Sequence, residues 1–363
     1  MLRKLLLTSL VAISIFNAQA QDSAGAKPKP IITGYVDAYY RFNFDNAKDQ
    51  GSANNWTSFT NSQNSFELGM ASLKAEHSFG KASVVVDLGV GRRAEEFSYN
   101  DRTFFVDGNG DDQSSPTLLA AVKQAFVTFS ASDKVKFTLG KFGTHVGYEL
   151  LDPQLNRNYS MSYMFSYGPF FHTGLKADFA ISDNFSFMLG VANPTDFSTA
   201  SFAKKFVLGQ LHGASSDGKL SAYVNYVGGK DMGNTTSHQF DAVITGKISD
   251  MFSIGYNGTV KTAKNGNNKG TFWGSGLYFN VDPSPKVGLT LRGEYFDDKD
   301  NVTGYLGTSV FEVTFTPSIK VGGLTIFPEL RIDSAKDNVL FVKNNGSGTK
   351  STFTALLGAV YAF

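Results

Sequence analysis

The chain ends on a phenylalanine, and the strand it closes limits the fold more than any other stretch. From Thr352 it reads Thr-Phe-Thr-Ala-Leu-Leu-Gly-Ala-Val-Tyr-Ala-Phe363. Phe353, Ala355, Leu357, Ala359, Tyr361 and Phe363 fall on one face. Thr354, Leu356, Gly358, Val360 and Ala362 fall on the other. A period of two marks an extended strand. A segment of about ten residues with aromatic ends matches a membrane-crossing β-strand of a closed barrel, which also carries aromatic girdles at both interfaces. Phe363 is therefore expected to be the signal that outer-membrane assembly machinery reads.

The opposite end agrees. Arg3 and Lys4 precede an apolar run from Leu5 to Phe16 and the small-residue site Ala18-Gln19-Ala20. This pattern predicts a cleaved signal peptide over 1–20. The apolar run falls short of the roughly 20 residues that a helical anchor needs. A polar lead, 21–30, follows. Without Arg3 and Lys4, 31 basic residues face 32 acidic ones, a balance that argues against nucleic-acid binding. The chain has no Cys, so disulfides and thiolate metal sites are excluded.

Alternation resumes at Ile31. Ile32, Val36, Ala38, Tyr40 and Phe42 oppose Thr33, Asp37 and Arg41. The same division of apolar outward and polar inward recurs along the chain. Val84, Val86, Leu88 and Val90 oppose Asp87 and Arg93. Leu175, Ala177 and Phe179 oppose His172, Lys176 and Asp178. Phe240 and Ala242 oppose Asp241. Leu289, Leu291 and Tyr295 oppose Arg292 and Glu294. Leu330 and Ile332 oppose Glu329, Arg331 and Asp333. Two features disturb the pattern. The face of Phe66, Leu68 and Met70 turns polar at Lys74, which predicts either a bulge near Ala71 or an early end to the strand. Pro317 and Pro328 sit where a strand would lose ladder bonds.

The connections alternate in length. Short turns are expected near 80–81, 132–133, 182–184, 215–218, 249–250, 282–285 and 322–323. Longer polar segments are expected near 45–64, 94–117, 143–169, 193–205, 229–237, 264–270, 298–308 and 334–351. One rim of turns and one of loops is the outer-membrane signature. The fold class this predicts is all-β: a transmembrane antiparallel up-and-down barrel of about 16 strands over 31–363, with 14 or 18 as alternatives. An interior of that size is expected to hold water. A secreted β-sandwich would explain the alternation, but not the repeated apolar outer face or the paired loop lengths.

Candidate chemistry is sparse. None of the five His has metal-ligand spacing, and no cofactor motif is present. Asp107-Gly-Asn-Gly-Asp-Asp112 resembles half a calcium loop but lacks its sixth-position Gly and its closing Glu. No nucleophile stands in a recognisable relation to a base, so an enzyme is not expected.

The most singular segment is 141–173. It is long and aromatic (Tyr159, Tyr163, Phe165, Tyr167) and carries charges of both signs. A solvated loop has little use for those rings, so 143–169 is expected to fold into the barrel. Glu149 and Asp152 would then supply negative charge at the narrowest point. Lys141 and Arg157, with Arg41 on the wall, would supply positive charge. Charges opposed across water would set a transverse field favouring small polar solutes.

At this point the chain resembles a known family, the OmpL-like β-barrel porins. The resemblance rests on Gly34-Tyr35-Val36-Asp37-Ala38-Tyr39-Tyr40, on Lys123-Gln124-Ala125-Phe126-Val127, and above all on Leu139-Gly140-Lys141-Phe142-Gly143-Thr144 with Gly147-Tyr148-Glu149, Asn158-Tyr159-Ser160 and His172-Thr173-Gly174. At Ser160-Met161-Ser162 the chain departs from it, with Met161 where a basic residue is expected. The resemblance implies an outer-membrane porin and names no solute. The expected partners are outer-membrane lipid and lipopolysaccharide and the barrel-assembly machinery, with a homo-trimer open to it. The expected function is passive diffusion of small hydrophilic solutes and ions. The alternatives are a channel selective for an anion, sugar or peptide, and a non-conducting structural or adhesive barrel.

Overall fold

The structure is a computed structural model that describes residues 28–47, 54–106, 112–337 and 340–363. The signal peptide, most of the polar lead and Asp107–Asp111 lie outside the described residues.

Sixteen antiparallel strands close into one barrel, each paired with its neighbours in sequence. The strands are β1 (Ile31–Asn43), β2 (Ser65–Phe79), β3 (Ala82–Val90), β4 (Val122–Ser132), β5 (Val135–Gly143), β6 (Phe171–Ser182), β7 (Phe185–Ala192) and β8 (Phe206–Ala214). They continue with β9 (Leu220–Lys230), β10 (Thr236–Lys247), β11 (Phe252–Asn265), β12 (Asn268–Ser284), β13 (Val287–Asp297), β14 (Ser309–Val321), β15 (Leu324–Ala335) and β16 (Ser351–Ala362). β1 pairs with β16 along Tyr35↔Ala362 to Asn43↔Thr354. Phe363 completes this seam: its N–H donates to the Gly34 carbonyl (3.0 Å), and the Gly34 N–H donates to the Phe363 carbonyl (3.1 Å).

On β3 the phase read from the sequence is the phase observed. Val86 is 40% exposed on the outer face, and its neighbour Asp87 is 1% exposed inside. The predicted bulge lies at Gly69, two residues before Ala71. Met70 pairs with Asp37 and Leu68 with Ala38, leaving Gly69 extra. The Asp37 carboxylate occupies the space a Cβ on residue 69 would need. Past this bulge Met70, Ser72 and Lys74 face inward, which accounts for the polar turn of that face. The two prolines interrupt one ladder together, because β14 and β15 lose pairing between Phe315↔Leu330 and Ile319↔Ile326.

Two expectations are corrected. Arg93 is not on a strand: β3 ends at Val90, Gly91 takes φ +124°, and Arg93 lies in a short helix, α1 (Arg92–Phe97). Residues 264–270 are not a long loop. The ladder runs on to Asn265↔Asn268 and closes over Gly266-Asn267, with Gly266 at φ +60°, a conformation glycine adopts without strain.

Candidate pore constriction

The connection between β5 and β6, residues 144–170, runs inside the barrel; it is called the inner loop below. Its first limb lies along β8 to β13. His145 Nε2 is 3.0 Å from the Tyr226 carbonyl. The Gly147 N–H donates to Asp241 (3.0 Å), and the Tyr148 N–H donates to Asn257 (3.3 Å). The Tyr148 ring packs on Tyr278 with centroids 4.1 Å apart. Glu149 meets Arg292 at 2.5 Å.

The chain then crosses the lumen. Asp152 reaches Lys123 on β4 (2.7 Å) and accepts from the Tyr35 hydroxyl on β1 (2.9 Å). Arg157 forms a two-pronged pair with Asp282 at 2.6 and 2.9 Å. Wall carboxylates hold the returning limb by its backbone. Glu329 accepts from the Tyr159 N–H, and Glu294 accepts from the N–H groups of Tyr163 and Met164. The Tyr163 hydroxyl donates to Asp333 (2.9 Å). Asp196, from the loop after β7, accepts from the Phe170 and Phe171 N–H groups where the loop rejoins the wall. Burial pushes Asp196 up to about 6.

Wall glycines make room for these side chains. A Cβ on Gly358 would lie 2.5 Å from the Tyr159 ring, and one on Gly274 would lie 2.5 Å from Met164. Gly274 on β12 is thus a socket for the inner loop.

The expected charges pair rather than face each other across water. Glu149, Asp152 and Arg157 each hold a wall partner. Lys141 turns to Asp101 (3.0 Å) and lies over the Phe171 ring. Arg41 donates to the Ser62 and Asn54 carbonyls of the loop after β1 and to Thr354. The physical reason is burial: a charge withdrawn from water must find a partner. Among the other lumen-facing residues, Asp37 accepts from Tyr159 and Met70. Arg331 pairs with Asp333, and Lys176 with half-buried Asp178. His172 is fully buried beside His145.

Three residues of this network escaped the sequence reading. Glu312 pairs with Arg292 (2.6 Å) and was legible in the alternation Glu312-Thr314-Thr316-Ser318. Lys123 was not, because a register shift beside Val122 moves it onto the lumen face. Asp282 could not be assigned a partner from one sequence; Arg93, read as a strand residue, instead donates from its helix to the Leu151 carbonyl of the inner loop (3.3 Å).

The interior does not hold water alone at this level. From Asp37 on β1 through Asp87, His172, Leu208, Asp241 and Tyr278 to Leu356 on β16, every strand contributes a lumen-facing residue that is buried. Apolar clusters complete the filling. One joins Phe142, Val146, Met188, Leu208 and Val227; another joins Phe59, Phe97, Met161, Phe165 and Phe170. Among the described residues no three His, Asp or Glu side chains converge as metal ligands.

Residues 31–363 match the family described as "Putative beta-barrel porin-2, OmpL-like". No curated protein sequence is similar to the chain. Several solved structures share its fold. The outer membrane channel DcaP of Acinetobacter baumannii is 12% identical, with 94% of this chain and 100% of that chain covered and a TM-score of 0.61. OprB of Pseudomonas putida is 11% identical, with 92% and 94% covered and a TM-score of 0.60. An anion-selective porin from Comamonas acidovorans is 12% identical, with 92% and 99% covered and a TM-score of 0.58. Identities this low speak for the fold alone. The family match runs the length of the barrel and carries the rest: this chain belongs to the OmpL-like β-barrel porins, channels of the bacterial outer membrane.

Proposed function

We propose that this porin passes small hydrophilic solutes and ions by passive diffusion, and that residues 144–170 set its narrowest point. The observation that carries this reading is the path of the inner loop. It bonds to β9, β10 and β11, crosses to β4 and β1, and returns to β13 and β15. Glu149, Asp152 and Arg157 act there as halves of ion pairs, so the field they set is short-ranged dipoles between loop and wall. Lys141 and Arg41 act behind them, fixing the loops at the outer mouth.

Residues 1–20 serve as the signal peptide and Phe363 as the assembly signal. Outer-membrane lipid and lipopolysaccharide surround the apolar belt. A homo-trimer is the assembly proposed; OmpT of Vibrio cholerae, 12% identical over 92% of this chain at TM-score 0.54, has been solved in a trimer form. The test is swelling of liposomes containing the refolded chain. Entry should be fast for small sugars and amino acids and fall steeply with solute size. Absence of any swelling with folded protein present would refute passive diffusion.

A further inference from the structure

Two histidines lie at the root of the inner loop, where it leaves the wall. His145 is in the loop and His172 on β6, with ring centroids 5.4 Å apart. Their Nε2 atoms have polar neighbours: the Tyr226 carbonyl for His145 and the Thr144 hydroxyl for His172. Their Nδ1 atoms are buried, and neither has a hydrogen-bond partner among the described residues. The diffusion function uses neither ring.

The surroundings cannot hold two imidazolium ions. On β6 the facing charges are Lys176 and Asp178, 3.3 Å apart and largely cancelling. On β5 the neighbour is the Phe142 ring. On β8, Gln210 donates to the His145 carbonyl, and the Gly209 backbone is a further acceptor that approaches the His145 ring. On β9 the Tyr226 carbonyl faces His145. On β10, Asp241 is committed to Gly147, Asn225 and Asn257. From the loop after β7, Asp196 holds the backbone of Phe170 and Phe171.

We propose that this histidine pair is an acid-sensitive release for the inner loop: protonation of the pair lifts the first limb, 144–149, from the wall and opens the channel. This rests on the reading that the inner loop sets the constriction.

The sign follows from burial. Burial pushes His145 down to about 4, whereas an imidazole in water titrates near 6.5. The seated loop therefore favours neutral rings. Its stability is full above about pH 6.5 and is lost as the pH falls from there toward 4. At about pH 5 a solvated imidazole is about thirtyfold more protonated than not, so His145 alone can shift the seated equilibrium up to about thirtyfold. Asp196 works the other way. Its raised value favours the seated state in acid, but its bonds are to Phe170 and Phe171 on the returning side and not to the first limb. Asp241 on β10 also holds this limb, through the Gly147 N–H, and the double histidine variant below separates its protonation from that of the rings.

The test is conductance of the full chain in planar bilayers at about pH 7.5 and about pH 5. Conductance per channel should rise at least about tenfold in acid for the wild type, and the rise should vanish in H145Q/H172Q. An unchanged or falling wild-type conductance, or a rise that persists in the double variant, would overturn the proposal. Where the double variant fails to fold, hydrogen exchange of residues 144–149 in the wild type decides instead. After correction for intrinsic pH dependence it should be at least about tenfold faster at the lower pH, and equal protection overturns the proposal. A folded wild-type chain that conducts at neither pH would overturn the diffusion reading as well, whereas pH-independent conductance overturns this inference alone.

Discussion

Replacing Glu149 by alanine should unseat the inner loop while leaving the barrel closed. Glu149 Oε1 lies 2.5 Å from Arg292 and accepts from the Tyr278 hydroxyl (3.3 Å), and Oε2 accepts from the Ser162 N–H and hydroxyl, both at 2.8 Å. Breaking a buried ion pair from one side costs about 3–5 kcal/mol. Arg292 keeps Glu312 at 2.6 Å and the Ser160 carbonyl at 2.8 Å, which places the cost near the lower bound, about 3 kcal/mol. None of the lost contacts lies in the barrel ladder, so the whole penalty falls on the seated state of the loop. At about 1.4 kcal/mol per factor of ten, the unseated population should rise about a hundredfold. Arg157 supplies the assay. Its pairing with Asp282 holds it against the lumen wall with about a third of the side chain exposed, where trypsin should reach it slowly. When opening and closing outpace cleavage, the rate tracks the open population. Cleavage after Arg157 in Glu149→Ala should therefore be about a hundredfold faster than in wild type, with heat-modifiable gel mobility preserved. Glu76→Ala, which breaks only the exposed pair with Lys74, should change nothing. Equal cleavage in wild type and Glu149→Ala would refute the reasoning that this ion pair seats the loop.

Three further outcomes follow from the same structure. Val86→Arg on the outer face should cost about 2–4 kcal/mol in lipid refolding. Asp87→Asn, one residue on, should cost at most about half as much, since Lys123 keeps Asp152 at 2.7 Å. Gly358→Val should displace the Tyr159 ring, cost about 1–3 kcal/mol by urea titration and speed the same tryptic cleavage. Deleting Phe363 removes two backbone bonds to Gly34, roughly 1–3 kcal/mol; its delivery to the outer membrane, followed by surface labelling, should fall much further than its refolded stability.

The barrel was legible because its physics is local. Alternation, turn residues and apolar outer faces are written strand by strand, so the strand number and the inward placement of Asp37, Arg292, Glu294, Glu329 and Arg331 could be read directly. Departures came where one residue changes phase. Gly69 and the shift beside Lys123 exchange the two faces of their strands, and a single sequence shows only that the pattern breaks. The aromatic character of 144–170 indicated a loop with something to bury. Its partners were not legible, because Glu149–Arg292 and Arg157–Asp282 join residues more than a hundred positions apart across the lumen. Free opposed charges were the wrong picture for the same reason: without knowing how completely the loops fill the waist, nothing forced those charges to pair.

The central claim is that the inner loop limits passage. Single-channel conductance and reversal potential in asymmetric KCl, for the wild type and for a chain in which residues 150–162 are replaced by a short Gly-Ser linker, test it most directly. The shortened chain should fold to the same heat-modifiable barrel, conduct several-fold more than the wild type, and show a different reversal potential once Asp152 and Arg157 are gone. Equal conductance and equal reversal potential in the two folded proteins would contradict the account.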